Sequence, residues 1–120
     1  INLIRLITPN TTPARLKIIT SNAEGFLYYV TVTGVTGQKT ANIDRLSQSI
    51  KKIRKYSNLP IIAGFGINNK DQVKKICEIA DGAVVGSSLV KIIENNLNKK
   101  NDMLKLINYF VRDLKTGTNI

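Results

Sequence analysis

Apolar residues fall in two alternating kinds of stretch. The first kind is short and dense, of strand length: Leu3–Ile7, Phe26–Val32, Pro60–Ala63 and Ala83–Val85. The second kind spaces its apolar residues by three and four, the signature of a helix with one buried face. Leu16 and Ile19, with Ile18 beside them, form the first such stripe. The others are Ile43, Leu46, Ile50 and Ile53; Val73, Ile76, Cys77 and Ala80; Leu89, Val90, Ile93 and Leu97; and Met103, Leu104, Ile107, Phe110, Val111 and Leu114. Punctuation residues frame the stripes. Thr12 before Pro13 predicts a helix start, as do Asn69 and Asp102, and Gly25 and Gly117 predict stops. Asp81-Gly82 predicts a turn.

The sum is four strands, each followed by a helix, with one extra short helix after the fourth strand. Such alternation predicts an α/β fold with a parallel sheet and right-handed crossovers. An open doubly wound sheet and part of a (β/α)8 TIM barrel both satisfy it. The extra short helix favours the barrel, where it accompanies a phosphate site built by the last two strands. A full barrel takes roughly 250 residues, so residues 1–120 are expected to be one partial domain, its C-terminal half. The start at Ile1, on a strand-like run without a Met, adds the expectation that the chain begins inside a longer protein. Half a barrel would expose two sheet edges and an apolar inner face.

Composition narrows the chemistry. There is no histidine and one cysteine, Cys77, on the apolar face of a helical stripe. A buried, reduced thiol fits a cytoplasmic protein, and no metal site is expected. No stretch is long and apolar enough to span a membrane. The net charge of +10 raises the question of nucleic acid. The lysines, however, scatter over polar helix faces (Lys51, Lys52, Lys55, Lys74, Lys75, Lys99, Lys100) without interleaved aromatics, so no nucleic-acid partner is expected. A positive field also favours an anionic small molecule.

Three glycine-bearing corners suggest what that molecule carries. Gly64-Phe65-Gly66 ends the third strand, Gly86-Ser87-Ser88 ends the fourth, and the long loop Thr33–Thr40 follows the second. Backbone N–H groups near Gly37, Gly66 and Gly86, with the Ser87 hydroxyl, could converge on one phosphate. Tyr28, Phe65 and Val84 could form an apolar slot beside it for a flat ligand. The eight acids all fall on helices or where strands begin, and none stands at the C-terminal end of a strand, where barrels do their chemistry. No catalytic residue is therefore expected in this chain.

The stretches Thr33-Gly34-Val35-Thr36-Gly37, Gly64-Phe65-Gly66-Ile67 and Gly86-Ser87-Ser88-Leu89-Val90-Lys91-Ile92-Ile93-Glu94 resemble, in order and spacing, those of the tryptophan synthase α subunit family. The resemblance implies a retro-aldol lyase acting on indole-3-glycerol phosphate. It places the phosphate on Gly37, Gly66, Gly86 and Ser87, the indole near Tyr28, Phe65 and Val84, and makes Thr36 a latch for the closing loop. It implies no cofactor of the chain's own, and a β subunit partner, bearing pyridoxal phosphate, in an α2β2 assembly. The family's catalytic Glu and Asp would lie upstream of this chain. Another phosphate-binding barrel, or a non-catalytic half barrel binding anions or nucleic acid, are the alternatives.

Overall fold

The computed structural model describes residues 1–30, 39–64 and 66–118. Four strands, β1 (Arg5–Ile7), β2 (Leu27–Val30), β3 (Ile61–Gly64) and β4 (Gly82–Val84), form one sheet in that order, every neighbouring pair parallel. Between them run α1 (Pro13–Ser21), α2 (Lys39–Ile53) and α3 (Lys70–Cys77). After β4 come α4 (Ser87–Glu94), α5 (Lys100–Lys115) and a final turn, Thr116–Thr118.

Register assigns the side chains to faces. Leu27 lies opposite Arg5 and Ile61, and Tyr29 opposite Ile7 and Ala63. Ile7, Leu27, Tyr29, Ile61 and Ala63 are buried in one core with Leu16 of α1, Leu46, Ile50 and Ile53 of α2, Val73 and Ile76 of α3, and Leu114 of α5. The alternate residues form the other face: the row Leu6, Tyr28, Ile62, Gly82, and above it Val30, Gly64, Val84. Tyr28, Ile62 and Val84 are half-buried there, and Leu6 is 61% exposed. Among the described residues, helices thus cover a single face. A doubly wound sheet has helices on both faces and a reversal in strand order; a run of consecutive parallel neighbours with helices on one side is barrel geometry.

The opposite ends of the sheet differ. Where the strands begin, Asp81 and Ile61 hold each other. The Asp81 N–H donates to the Ile61 carbonyl at 2.9 Å, and the Ile61 N–H donates to Asp81 Oδ2 at 2.8 Å. Arg54, just past α2, donates to the same Oδ2 at 2.9 Å. The acids' placement away from the strand C-termini holds for this residue, whose role is structural.

Several local expectations shift. Thr12 caps α1 through its hydroxyl, which accepts from the Arg15 N–H, with Pro13 in the first turn. Ile18 faces solvent, 64% exposed, while Leu16 is buried and Ile19 half-buried. Asp102 is not a cap: α5 begins at Lys100, and the Lys99 carbonyl takes the first helical hydrogen bond, from the Met103 N–H at 2.9 Å. α4 ends at Glu94, so Leu97 lies outside it and is 69% exposed. Gly117 does not merely stop a helix. It is buried against α3, where a Cβ would overlap the Lys70 carbonyl oxygen. Residues 31 and 32 of the expected second strand lie outside the described residues, and Lys39 and Thr40, read as loop, belong to α2.

Candidate phosphate-binding cleft

The cleft opens at the C-terminal ends of β2, β3 and β4. It encloses about 200 Å³ and is lined by Tyr28, Gly64, Gly66, Ile67, Val84, Gly86 and Ser87. Five of the residues singled out from sequence therefore meet here: Gly66, Gly86 and Ser87 of the expected phosphate set, and Tyr28 and Val84 of the apolar slot. Gly37, Thr36 and Phe65 lie outside the described residues. Gly64 and Ile67 complete the lining; both belong to the Gly64-Phe65-Gly66-Ile67 stretch, which carries no site role for either of them.

Gly64 is needed because of Tyr28. A Cβ at position 64 would overlap the Tyr28 hydroxyl, and its other neighbours would be Tyr28 Cζ at 3.0 Å and Val84 Cβ at 3.3 Å. Register explains the crowding. Tyr28 and Gly64 sit on adjacent strands, two positions out of step on one face, within reach of a long aromatic side chain. The ring is thus carried over the end of β3 and into the cleft. This requirement is invisible in sequence, since it depends on which strands are neighbours.

Gly66 turns the chain with φ +42°, a left-handed conformation that disfavours any residue with a Cβ. The next helix, α3, then begins with its terminus occupied. Asn69 Oδ1 accepts the Gln72 N–H at 3.0 Å, and Gln72 Oε1 reaches back to accept the Asn68 N–H at 2.8 Å. Asp71 adds a negative charge to the first turn. The structure makes that helix a poor anion site, because its own side chains already use its field.

α4 is the opposite case. Gly86 precedes it with no side-chain cap and no acidic residue in the first turn. Apart from its chain neighbours, no described atom lies within 4 Å of where a Cβ of Gly86 would stand. The Leu89 and Val90 N–H groups bond back to the Gly86 carbonyl at 2.9 and 3.1 Å. The Ser87 and Ser88 N–H groups, at the first two helical positions, have no acceptor inside the helix. Uncapped donors, a helix dipole and an exposed hydroxyl on Ser87 open into the cleft together. An anion with several oxygens suits them, and the half-buried Tyr28 and Val84 suit a flat apolar group beside it.

The charged groups are remote from this chemistry. Among the described residues no three His, Cys, Asp or Glu side chains cluster as metal ligands. Cys77, half-buried on α3 against the core, is pushed above the ordinary thiol value of 9.0 by desolvation.

Comparisons with known proteins agree with this architecture. The family model for the tryptophan synthase alpha chain matches residues 1–119. The alpha chain of Petrotoga mobilis is 44% identical over 115 residues, 96% of this chain and 45% of that protein. That of Methanocaldococcus jannaschii is 43% identical over 99 residues, 82% of this chain and 35% of that protein. Among solved structures, tryptophan synthase subunit alpha from Campylobacter jejuni superposes with a TM-score of 0.78 at 36% identity, covering 92% of this chain and 44% of that one. The subunit from Legionella pneumophila gives 0.82 at 26% identity, covering 99% and 43%. The chain thus spans less than half the length of these relatives, and its four βα units correspond to part of their barrel. It belongs to the tryptophan synthase alpha chain family.

Proposed function

We propose that this chain is the C-terminal half of a tryptophan synthase α barrel and supplies the substrate-holding part of its active site. The full-length protein would cleave indole-3-glycerol phosphate to indole and glyceraldehyde 3-phosphate. One observation carries the reading: the uncapped start of α4 and the Gly66 corner open into one cleft with Tyr28 and Val84. Gly66, Gly86 and Ser87, joined by Gly37, would hold the phosphate. Tyr28 and Val84, joined by Phe65, would hold the indole, and Thr36 would latch the loop over both.

Cleavage is a retro-aldol step. An acid outside this chain protonates indole C3, driven by electron push from the ring nitrogen. A base outside this chain removes the hydroxyl proton of the adjacent carbinol. The C3–C1′ bond breaks, its electrons restore the indole, and the carbinol becomes the aldehyde. No cofactor of the chain's own enters this balance. This half contributes by fixing the phosphate, so that the reacting bond sits at a defined place between the acid and the base. The indole released would pass to a β subunit carrying pyridoxal phosphate, in an α2β2 assembly in the cytoplasm.

The test is indole release from indole-3-glycerol phosphate by the full-length protein. Ser87→Leu combined with Gly66→Asp should lower kcat/KM by a factor of about 100 or more, since each charged hydrogen bond lost is worth about 1.5–3 kcal/mol. Turnover at the wild-type level in that double variant removes the site assignment.

A further inference from the structure

Ser87 and Ser88 are adjacent and chemically identical, yet the fold gives them different surroundings. Ser87 is exposed and lines the cleft. Ser88 is half-buried and is absent from the lining; its hydroxyl donates to the Ile67 carbonyl at 3.0 Å, across 21 residues of sequence. Among the described residues this is the one hydrogen bond joining the β4–α4 corner to the β3–α3 corner. A serine this close to a helix start has other ready partners, such as the carbonyl groups of the preceding strand end or an incoming anion. Here the proton is committed to the neighbouring βα unit.

We infer that Ser88 is a positioning residue that sets the spacing between the two corners, so that their N–H groups address the same anion. This rests on the anion-site reading of the cleft. The two corners leave adjacent strands that are paired as far as Gly64 and Val84, and beyond that pair the Ser88 hydroxyl bond joins them. Gly66 and Gly86 lack side chains that could pack to hold their spacing. The Ser88 hydroxyl reaches Ile67, the residue directly after Gly66, from the residue directly after Ser87. A brace at that place holds both halves of the anion ring while leaving the Ser87 hydroxyl and both serine N–H groups available. It also accounts for two consecutive serines: the first meets the ligand and the second holds the frame.

The experiment titrates inorganic phosphate into 15N-labelled full-length protein and follows the backbone amides of Gly66, Asn68, Ser87 and Ser88. In the wild type, Asn68, whose amide shares a peptide unit with the Ile67 carbonyl, should shift with the same midpoint as Ser87. Ser88→Ala should raise the phosphate Kd about three- to ten-fold, the scale of one lost hydrogen bond. It should also shrink the Gly66 and Asn68 shifts relative to that of Ser87. Ser88→Thr, which keeps the hydroxyl, should stay within about two-fold of wild type. An Ser88→Ala affinity within about two-fold of wild type, or an Asn68 amide silent during wild-type binding, overturns the brace and leaves the anion site standing. No phosphate-dependent shift at Gly66 or Ser87 in the wild type overturns the site, and the brace with it. The Asn68 readout needs no variant, so a poorly folded Ser88→Ala protein does not remove the test.

Discussion

The β3–α3 and β4–α4 corners share one plan, a strand ending at glycine and a helix beginning a few residues later. They differ in what occupies the helix start. At α3, Asn69 and Gln72 take backbone donors and Asp71 supplies a negative charge. At α4 there is no cap and no acid. The first helix is finished as a structural element, while the second is left with unmet donors facing a cleft. A helix start costs stability when it is uncapped, and the uncapped start beside an open cleft is what the proposed anion site rests on. The glycine pattern alone does not distinguish the two corners, whereas the residues just after the glycines do.

The difference can be broken from the α4 side first. Gly86→Asp would give α4 a cap and a charge in the open space beside it. Phosphate affinity should fall about 30- to 100-fold, from the lost donor and the like charge. Thermal stability should rise, since an Asp cap is worth about 0.5–2 kcal/mol. Calorimetric titration and a melting curve on the same sample check both directions.

From the α3 side, Asn69→Ala should do the reverse. It removes an acceptor used by the Gln72 N–H and should cost about 1 kcal/mol in urea unfolding. Phosphate affinity should change less than about two-fold. A large loss of affinity there would mean that α3 is the anion helix after all.

The smallest effect concerns the far end of α3. The Cys77 thiol is held above its ordinary value by burial. The folded state therefore binds this proton more tightly than the unfolded chain does. That contribution to stability is fully present below pH 9.0, the ordinary thiol value, and is lost as pH rises through the folded value. Measured as a difference from the wild type, the alkaline fall in unfolding free energy should be slightly less steep in Cys77→Ala.

Much of this fold is legible in the chain because the relevant information is short-range. Thr12-Pro13 and Asn69 act on residues two or three positions away, and both cap as read. The stripe Leu46, Ile50, Ile53 needs only the helical period, and all three residues are buried. What failed depends on distant partners. The start of α5 is set by its packing beside α4 and by the turn in which the Lys99 N–H meets the Asn96 carbonyl, and this overrides Asp102. Ile18 and Ile19 are interchangeable by period, and packing against the core decides between them: Ile19 lies on it and Ile18 faces solvent. In the cleft, Gly66, Gly86, Ser87, Tyr28 and Val84 were readable because glycine corners and aromatic residues at strand ends are conspicuous. Gly64 and Ser88 stand in the same corners, but their roles are not readable, since one answers to a ring on the neighbouring strand and the other to a carbonyl in another βα unit.

The paired bonds between Asp81 and Ile61 have a consequence for a site they never touch. A parallel ladder that slips by one residue turns every side chain to the wrong side. Asp81 grips Ile61 by both its amide and its carboxylate, and so acts as a datum mark for β3 against β4. Gly64 lies three residues beyond Ile61, about 10 Å at strand pitch, so the height at which each corner leaves the sheet is counted from that mark. The level of the two rims is thus counted from the foot of the barrel wall, and a lesion there would reach the proposed anion site as a mismatch in height rather than as a missing contact.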